Sequence, residues 1–290
     1  MCSSINRPDN AMLSVAPSAL FSRRSIILTE LTVQLFAIPA FYDNYIWLLA
    51  DDNNHCLVVD PGDAAPVERF LADNEMTLAA ILITHHHPDH VGGLQRLTKQ
   101  WPVPVYGPDN SSIAGITHSV YDGDRIALTS PTLGFDVLEV PGHTLDHIAF
   151  YSDTLPEPLL FCGDTLFSAG CGRLFEGTPE QMDNSLQRLT ALPDHCRVCC
   201  THEYTEANLR FALAVLPEDP AFNQRSRDVA ALRAAGQPSL PSTIGAEKIS
   251  NPFLRVDDKL LQISLENELG KPLQEHNQRF AALRAWKDRF

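Results

Sequence analysis

The sequence predicts a mixed α/β layered domain followed by a small helical domain. Short apolar runs typical of buried strands recur between Val33 and Cys200, with amphipathic segments of helical spacing between some of them. After His202 the helical spacing continues and no convincing strand interrupts it. The 290 residues are enough to bury a substantial core, and the 44% hydrophobic and 20% charged fractions are ordinary for a globular protein.

The strands of the first domain are short apolar runs that end in turn residues. They are predicted at Tyr45–Ala50, Cys56–Asp60, Ala79–Thr84, Val103–Tyr106, Arg125–Leu128, Phe135–Val140, His147–Tyr151, Leu159–Cys162 and Arg197–Cys200. Helices are predicted from Pro66 to about Asn74, from about Val91 to Gln100 and over Pro179–Leu192.

The second domain begins near residue 203. Its predicted helices are Glu206–Leu216, Asp219–Ala235 and Glu275–Arg289. The α/β domain therefore spans residues 33–202 and the helical domain residues 203–290. Residues 1–32 are rich in serine, and their arginine pair follows a short apolar patch, the reverse of the order in a secretory signal. We expect a disordered N-terminal extension there.

Charge and cysteine content narrow the class of protein. Lys and Arg number 22 and Asp and Glu 36, so the net charge of −14 argues against nucleic-acid binding. No apolar run approaches the roughly 20 residues that a membrane span needs. The seven cysteines form no C-x-x-C pair, and several lie in apolar runs, which indicates buried thiols rather than disulfides. A cytoplasmic protein is expected.

The segment Thr84–His90 carries the strongest functional signal. It follows a predicted strand and reads T-H-H-H-P-D-H. A tight loop leading into a helix can direct His85 and His87 towards one point and Asp89 and His90 towards a neighbouring one. Two-metal sites hold their cations about 3.5–4 Å apart. Imidazole and carboxylate ligands suit Zn²⁺, Fe and Mn²⁺.

Further candidate ligands follow the ends of other predicted strands. His143, Asp164 and His202 each come two or three residues after the end of an apolar strand, and a turn follows. A single histidine in such a place is ordinarily a polar loop residue, but together these positions supply five His and two Asp. We exclude His86, whose side chain should alternate away from its neighbours. His147 and the remaining histidines are interpreted as structural.

The ligand pattern resembles that of the metallo-β-lactamase superfamily. H-x-H-x-D-H followed by Gly-His, Gly-Asp and Thr-His is specific for that superfamily, though not for one substrate. The resemblance implies a four-layer αββα sandwich with the metals at one edge of the sheets. It also implies that His85, His87 and His143 bind a first divalent metal ion, that Asp89, His90 and His202 bind a second, and that Asp164 bridges the two.

Longer stretches resemble glyoxalase II, the hydroxyacylglutathione hydrolases, and especially the bacterial form. The matching segments are residues 161–167, 170–178, 202–205, 251–255 and 284–290. The similarity extends from about Val33 to the last residue. It implies hydrolysis of a glutathione thioester, S-D-lactoylglutathione, to glutathione and D-lactate, the second step of methylglyoxal detoxification.

The family resemblance also assigns substrate-binding positions. They are Arg173, Phe175, Tyr204, Arg284 and Lys287. Phe175 stands where some members have tyrosine, so a hydroxyl contact is lost. Arg284 and Lys287 match a basic pair that binds the glycine carboxylate, and their i, i+3 spacing places both on one helix face. Asp146 stands where glycine is common and is a departure that can affect its loop.

The implied mechanism uses a hydroxide shared by two metals, Zn²⁺ by preference with Fe or Mn²⁺ as alternatives. Such a hydroxide attacks the thioester carbonyl, and glutathione leaves as a thiolate without a strong general acid. Asp89 is a secondary candidate for accepting a proton. The expected partner is the small glutathione thioester alone, bound by a monomer.

Two other classes of function remain open on the sequence. One is a superfamily enzyme with another substrate, such as a persulfide dioxygenase, a lactamase or an RNA-processing nuclease. The dioxygenase would lack the helical arm with Arg284 and Lys287, the nuclease would want a basic surface, and the lactamase would usually carry an export signal. The other class is a metal-stabilised binding module without activity, which the complete ligand set opposes.

Overall fold

A computed structural model of the protein describes residues 24–27 and 32–290, with side chains from Val33 onward. Arg24–Ile27, within the predicted N-terminal extension, form a strand that pairs with the strand beginning at Thr32. The expectation of disorder for residues 1–23 and 28–31 lies outside the described residues.

The first sheet follows chain order. Its strands are β1 (Arg24–Ile27), β2 (Thr32–Ala40), β3 (Asn44–Ala50), β4 (His55–Val59), β5 (Thr77–Leu82), β6 (Val105–Gly107) and β7 (His118–Ser119). Strands β1 to β4 pair antiparallel, and β4 to β7 pair parallel. The carboxyl end of β5 lies at one edge of this sheet, and the loop with the candidate ligands His85 and His87 begins there.

The second sheet has the order β15-β14-β11-β10-β9-β8, with a small separate hairpin, β12–β13. Its strands are β8 (Arg125–Thr129), β9 (Thr132–Glu139), β10 (Ile148–Ser152), β11 (Leu159–Gly163), β14 (Arg197–Cys200) and β15 (Ser242–Thr243), and those of the hairpin are β12 (Leu166–Phe167) and β13 (Gly170–Cys171). Strand β14 pairs parallel with β11, so the ends of both point the same way.

The helices lie between and after these strands. They are α1 (Ala64–Asp73), α2 (Pro88–Val91), α3 (Leu94–Gln100), α4 (Pro179–Thr190), α5 (Thr205–Val215), α6 (Pro220–Ala234), α7 (Ile244–Ser250), α8 (Lys259–Leu269) and α9 (His276–Arg289), with a 3₁₀ turn over Pro252–Leu254. Among the helices of the described chain, none combines the length and apolarity needed to cross a bilayer.

The two sheets pack face to face between layers of helices. Phe36 and Val67 belong to a core between the first sheet and helices α1 and α3. Leu35 faces the opposite way and shares a second core with Phe150 of the other sheet and Leu186 of α4. Because successive side chains of a strand point to opposite faces of the sheet, the first sheet contributes to both cores. This four-layer αββα sandwich with helices after it confirms the predicted fold class.

Two local expectations differ from the structure. The helix predicted from Val91 to Gln100 is divided into α2 and α3 at Gly92 and Gly93, because both glycines pack against the turn after β4. A Cβ on Gly93 would lie 2.5 Å from the Pro61 carbonyl oxygen. The helical region also contributes a short strand, β15, to the second sheet, because its backbone pairs with the exposed edge of β14.

Two sheets meet at the edge where the candidate ligands lie. The Ile148 amide of β10 donates a 2.9 Å hydrogen bond to the Thr84 carbonyl after β5, and the Tyr45 amide of β3 donates a 2.7 Å bond to the Thr201 carbonyl after β14. Loops from both sheets are therefore held against each other.

The six cysteines in the described chain are free and buried, as their apolar surroundings predicted.

His276, at the start of α9, links the helical region to α4. Its ring nitrogens lie 2.7 Å from an Asp183 carboxylate oxygen of α4 and 2.8 Å from an Asp257 oxygen, while Arg279 also binds Asp257. Burial lowers the pKa of His276, but the hydrogen bonds and charges of Asp183 and Asp257 outweigh it and raise the pKa above 6.5.

We expect replacement of His276 by Gln to remove a pH-dependent part of the stability. A raised pKa means that the contribution is complete below the unfolded pKa and is lost as pH rises through the folded one. The variant should be less stable than the wild type by about 0.2–1 kcal/mol near pH 5.5, since the pair is partly exposed. The difference should shrink as the pH rises through the folded-state pKa of His276. Denaturant unfolding at several pH values measures it, and a deficit that does not change with pH would contradict the ion-pair account.

Candidate metal centre

The loop between β5 and α2 places four of the predicted ligands. Pro88 occupies the first position of α2, where its fixed φ suits the helix and its missing N–H costs nothing, and Asp89 follows in the first turn. His87 precedes the helix in an extended conformation. His85 and His87 thus precede the helix, and Asp89 and His90 lie within it.

Three imidazoles converge at the first position. His87 Nδ1 lies 3.1 Å from His85 Nε2 and 3.0 Å from His143 Nε2. The three residues form one of the groups whose ligand atoms all lie within 4.8 Å of one another. The structure therefore brings together the three residues predicted for the first metal.

A second group lies beside the first. His202 Nε2 and His90 Nε2 lie 3.4 and 3.6 Å from the same oxygen of Asp89. Asp164 stands between the groups, with one oxygen 3.4 Å from His90 and the other 3.4 Å from both His143 and His202. The arrangement has the form of two adjoining sites with a shared carboxylate.

Gly163 and His147 hold Asp164 in place. Gly163 has φ of +47°, and a Cβ there would lie 2.4 Å from Thr84 Oγ1, so the close approach of the strand ends requires glycine. His147 accepts a 3.1 Å hydrogen bond from the Asp164 amide and stacks on His85 at 4.5 Å. Burial lowers the pKa of His147 to about 3, so its ring stays neutral and able to accept.

Asp60, at the end of β4, orients two of the imidazoles. It accepts hydrogen bonds of 2.8 and 2.7 Å from the Thr84 amide and hydroxyl and one of 3.0 Å from His90 Nδ1. Because the Thr84 hydroxyl gives its proton to Asp60, it must accept from His85 Nδ1, 3.0 Å away. That tautomer leaves the Nε2 lone pair of His85 facing the centre.

The other histidines are oriented in the same way. His143 Nδ1 donates to the Arg173 carbonyl at 2.7 Å, and His202 Nδ1 donates to Asp43 at 2.9 Å. Asn44, next to Asp43, donates to Asp89 at 3.1 Å. Such outer partners fix ring orientation and tautomer in metal sites.

The donor set fits divalent cations. Burial lowers the pKa of the three imidazoles His85, His87 and His143, which keeps them neutral. His87 Nδ1 lies about 3 Å from both His85 Nε2 and His143 Nε2, and a hydrogen bond in either contact needs a proton between the two nitrogens. A neutral His87 can supply no more than one such proton, so hydrogen bonds cannot satisfy all three nitrogens. His90 Nε2 and Asp164 Oδ1 are buried without a hydrogen-bond partner in the described chain. A cation at each position would satisfy all these atoms.

A cavity of about 450 Å³ opens onto this centre. It is lined by His87, Asp89, His143, Asp164, Phe167, Arg173, Phe175, His202 and Tyr204. Its walls thus combine candidate ligands with apolar and basic side chains, the usual composition of a small-molecule site.

Three of the predicted substrate-binding residues line this cavity. The Phe175 ring lies edge-on to His87 and His143 at 5.5 and 5.3 Å, with the Arg173 guanidinium 5.7 Å from its centre. The Tyr204 ring stacks on His202 at 4.6 Å. Aromatic walls are therefore pressed directly against the ligand imidazoles.

The other two predicted substrate-binding residues lie away from the cavity lining. Arg284 is buried, donates to the Cys171 carbonyl at 3.0 Å and pairs with Asp288 at 2.9 Å. Lys287 donates to the Ala207 carbonyl at 3.3 Å, and burial lowers its pKa to about 8. Their contact with a substrate carboxylate stays a prediction.

Known proteins resemble this chain along both of its parts. Residues 41–202 match the family model described as metallo-beta-lactamase superfamily, and residues 203–290 match the one described as hydroxyacylglutathione hydrolase C-terminus. A hydroxyacylglutathione hydrolase of Pseudomonas putida is 55% identical over 260 residues, covering 89% of this chain and 100% of that protein. The chain belongs to the hydroxyacylglutathione hydrolase family. This confirms the resemblance identified in the sequence.

A second relative agrees with this family assignment, and two solved structures resemble the chain in fold. The hydroxyacylglutathione hydrolase of Hahella chejuensis is 51% identical over 257 residues, covering 89% of this chain and 99% of that protein. The crystal structure of ETHE1 from Myxococcus xanthus aligns with a TM-score of 0.56 and 25% identity over 91% of this chain and 97% of its own. TTHA1623 in a di-iron-bound form aligns with a TM-score of 0.55 and 24% identity over 76% and 100%, a likeness of fold alone.

Sequence reasoning missed several residues that support this family's centre here. The sequence places Asp60 at the end of a predicted strand and His147 among the structural histidines, and it assigns no role to Asp43 or Asn44. Each acts through a hydrogen bond to a residue far along the chain, so local spacing carries no signal for it. The signal available was a polar residue directly at the end of a buried strand.

His86 and Asp146 have a different role from the ligands. His86 Nδ1 lies 2.9 Å from Asp146, which also accepts bonds of 2.6 Å from Thr144 and 2.7 Å from Asn110. Burial would raise the pKa of Asp146, but these hydrogen bonds outweigh it and lower the pKa. Asp146 therefore ties its loop to the ligand loop.

Proposed function

We propose that this protein hydrolyses S-(2-hydroxyacyl)glutathione thioesters, S-D-lactoylglutathione in particular, to glutathione and the 2-hydroxy acid, D-lactate. This is the second step of methylglyoxal detoxification. One observation carries the proposal: five histidines and two aspartates converge, with five of these seven residues lining a cavity, in a chain 50–55% identical to hydroxyacylglutathione hydrolases over their full length.

We propose that the centre holds two divalent cations, with zinc the preferred metal and Fe or Mn²⁺ as alternatives. The residues that would hold them are His85, His87 and His143 for one, Asp89, His90 and His202 for the other, and Asp164 for both. When bound, such cations lower the pKa of water towards 7 and polarise a carbonyl oxygen.

Asp89 is better suited to binding a cation than to accepting a proton. Burial alone would raise its pKa, but the neighbouring imidazoles of His202 and His90 and the hydrogen bond from Asn44 lower it well below its usual value. A carboxylate held so firmly as an anion is a poor base near neutral pH. We therefore assign Asp89 a ligand role.

The cavity walls would hold the glutathione part of the substrate. The Arg173 guanidinium is exposed at the cavity and can pair with a substrate carboxylate. Phe175 and Tyr204 offer apolar faces that exclude water from the thioester, and Arg284 with Lys287 would act at the far end of the peptide. Fixing the carbonyl beside the centre lowers the entropic part of the barrier.

We further propose that residues 33–202 form the catalytic unit and residues 203–290 a substrate-binding unit. We also propose that the protein acts as a monomer. The free, buried cysteines support a reducing compartment, the cytoplasm.

The test is a substrate panel on protein of measured metal content. S-D-lactoylglutathione should be turned over at least about a hundredfold faster than a bis-aryl phosphodiester or nitrocefin. Chelation should abolish that activity, and Zn²⁺, Fe²⁺ or Mn²⁺ should restore it to an extent that identifies the preferred metal. Faster turnover of the phosphodiester, of nitrocefin or of glutathione persulfide would refute the proposal, as would thioesterase activity in protein free of metal.

A further inference from the structure

The hairpin β12–β13 forms one wall of the cavity. Phe167, at the end of β12, lines the cavity, and its ring lies edge-on to His202 at 5.8 Å and to Tyr204 at 5.4 Å. The turn that follows includes Ala169 with φ of +56°, a conformation unusual for a residue with a side chain. The hairpin thus supports the aromatic face beside the centre.

The hairpin's own pairing is too short to set its position. Its strands share two residue pairs, Leu166 with Cys171 and Phe167 with Gly170, and neither strand joins the larger sheets. An isolated two-stranded hairpin is marginal even when longer. Contacts with other elements must therefore hold it.

Asn251 supplies one such contact from the segment 251–255, whose sequence matches the family but has no role so far. Its side-chain amide donates to the Phe167 carbonyl at 3.2 Å and to the Gly170 carbonyl at 2.9 Å. Its oxygen accepts from the Phe253 amide at 3.1 Å. Asn251 is fully buried, so water does not compete for these bonds.

Glu247, one turn earlier on α7, supplies a second contact. Its carboxylate accepts from the Ala169 amide at 2.7 Å and from Asn251 at 3.2 Å, and the Ser242 hydroxyl donates to its other oxygen. Glu247 is also fully buried. A carboxylate in this place accepts the hydrogen bond of the Ala169 amide in the strained turn and also orients the Asn251 side chain.

Two other elements of the helical region complete the enclosure of the turn. Asn208 of α5 donates to the Ser168 carbonyl at 3.0 Å, and Arg225 of α6 donates to the Ser168 hydroxyl at 3.3 Å. Side chains from beyond residue 203 thus form hydrogen bonds with the carbonyls of Phe167, Ser168 and Gly170 and with the amide of Ala169.

We infer that Glu247 and Asn251 are positioning residues, which hold the β12–β13 hairpin so that Phe167 supports Tyr204 and His202 at the substrate cavity. They touch no substrate themselves. The inference rests on the proposed thioesterase function for its kinetic consequence. Its structural part, that these side chains fix the hairpin, stands on the contacts alone.

The test compares Glu247→Ala, Glu247→Gln and Arg255→Ala in the full, metal-loaded chain. Alanine leaves the Ala169 amide without its acceptor and removes one of the three acceptors of the Asn251 side-chain amide. Glutamine keeps an oxygen for both, and its amide can donate to the Ser242 hydroxyl, so it should rescue. Arg255 lies in the same segment but pairs with Asp219 and Asp258, away from the hairpin, so it controls for loss of stability.

We expect Glu247→Ala to raise the KM for S-D-lactoylglutathione about tenfold, the scale set by losing buried hydrogen bonds. The kcat should change much less, because the candidate ligands stay in place. Hydrogen exchange at residues 166–171 should quicken in the same variant. Glu247→Gln and Arg255→Ala should stay within about twofold of the wild-type KM.

Equal KM values for Glu247→Ala and Arg255→Ala would overturn the inference, as would unchanged exchange at the hairpin. If Glu247→Ala does not fold, Asn208→Ala removes a single bond to the same turn and should give smaller changes in the same direction. A wild type without thioesterase activity would refute the proposed function instead, and hydrogen exchange would still decide whether Glu247 fixes the hairpin.

Discussion

Replacing Asp164 with Asn should lower kcat/KM for the glutathione thioester by at least about a hundredfold and leave the chain with fewer than two bound cations. Asp164 is buried, and its two oxygens lie 3.4 Å from imidazoles of both ligand groups. Burial alone would raise its pKa, but the neighbouring imidazoles of His90 and His202 outweigh it and lower the pKa well below the usual range. The site is therefore built around an anion at this position, and an amide of equal size removes that charge.

The measurement pairs steady-state kinetics with metal analysis by mass spectrometry. Asp153→Asn is a suitable control, because that carboxylate is exposed and pairs with Arg125 far from the cavity. A variant at residue 164 that kept two cations and wild-type turnover would show that the two ligand groups do not share this carboxylate.

Replacing Asp60 with Ala should weaken metal binding by about 10- to 100-fold, although Asp60 is not a candidate ligand. The substitution removes the acceptor for the Thr84 amide, the Thr84 hydroxyl and His90 Nδ1. The Thr84 hydroxyl then becomes free to donate to His85 Nδ1, so the tautomer of His85 is no longer fixed. Leaving buried donors unpaired should also cost about 1–3 kcal/mol of stability for each.

Asp63→Ala provides a matched control in the same turn. Asp63 caps α1 through a 2.9 Å hydrogen bond from the Ala65 amide and has no part in orienting the imidazoles. Its loss should cost about 0.5–2 kcal/mol of stability, with metal affinity unchanged. Titration of metal-free protein with Zn²⁺, followed by calorimetry, separates the two variants; equal affinities would contradict the role given to Asp60.

The fold and the main candidates for the centre could be predicted because their signals are local. Most of the longer strands coincide with a short apolar run, and candidate ligands follow such runs within a few residues, as His143 follows β9 and His202 follows β14. The αββα order itself came from resemblance, because alternation along a strand does not say which sheet covers which face.

The supporting contacts could not be predicted because they join residues distant in sequence. Asp60 and His90 are thirty positions apart, and Asn251 lies more than eighty from Phe167. The hairpin β12–β13 and strand β15 are two residues long per strand, too short for any periodicity to emerge. Arg284 has a helix position that suggested an open basic face, yet its side chain is buried against Phe253 and Cys171.

The hydrogen bond from the Ile148 amide to the Thr84 carbonyl joins the two sheets of the sandwich at the edge where the candidate ligands lie. A growing polypeptide therefore cannot assemble the complete centre until residue 202 has left the ribosome and β14 has docked beside β11. Before that moment, the His-rich loop can offer a cation only a partial set of donors. Tight binding of the proposed cations would therefore have to wait until residues 33–202 are synthesised, and their incorporation would report on correct assembly.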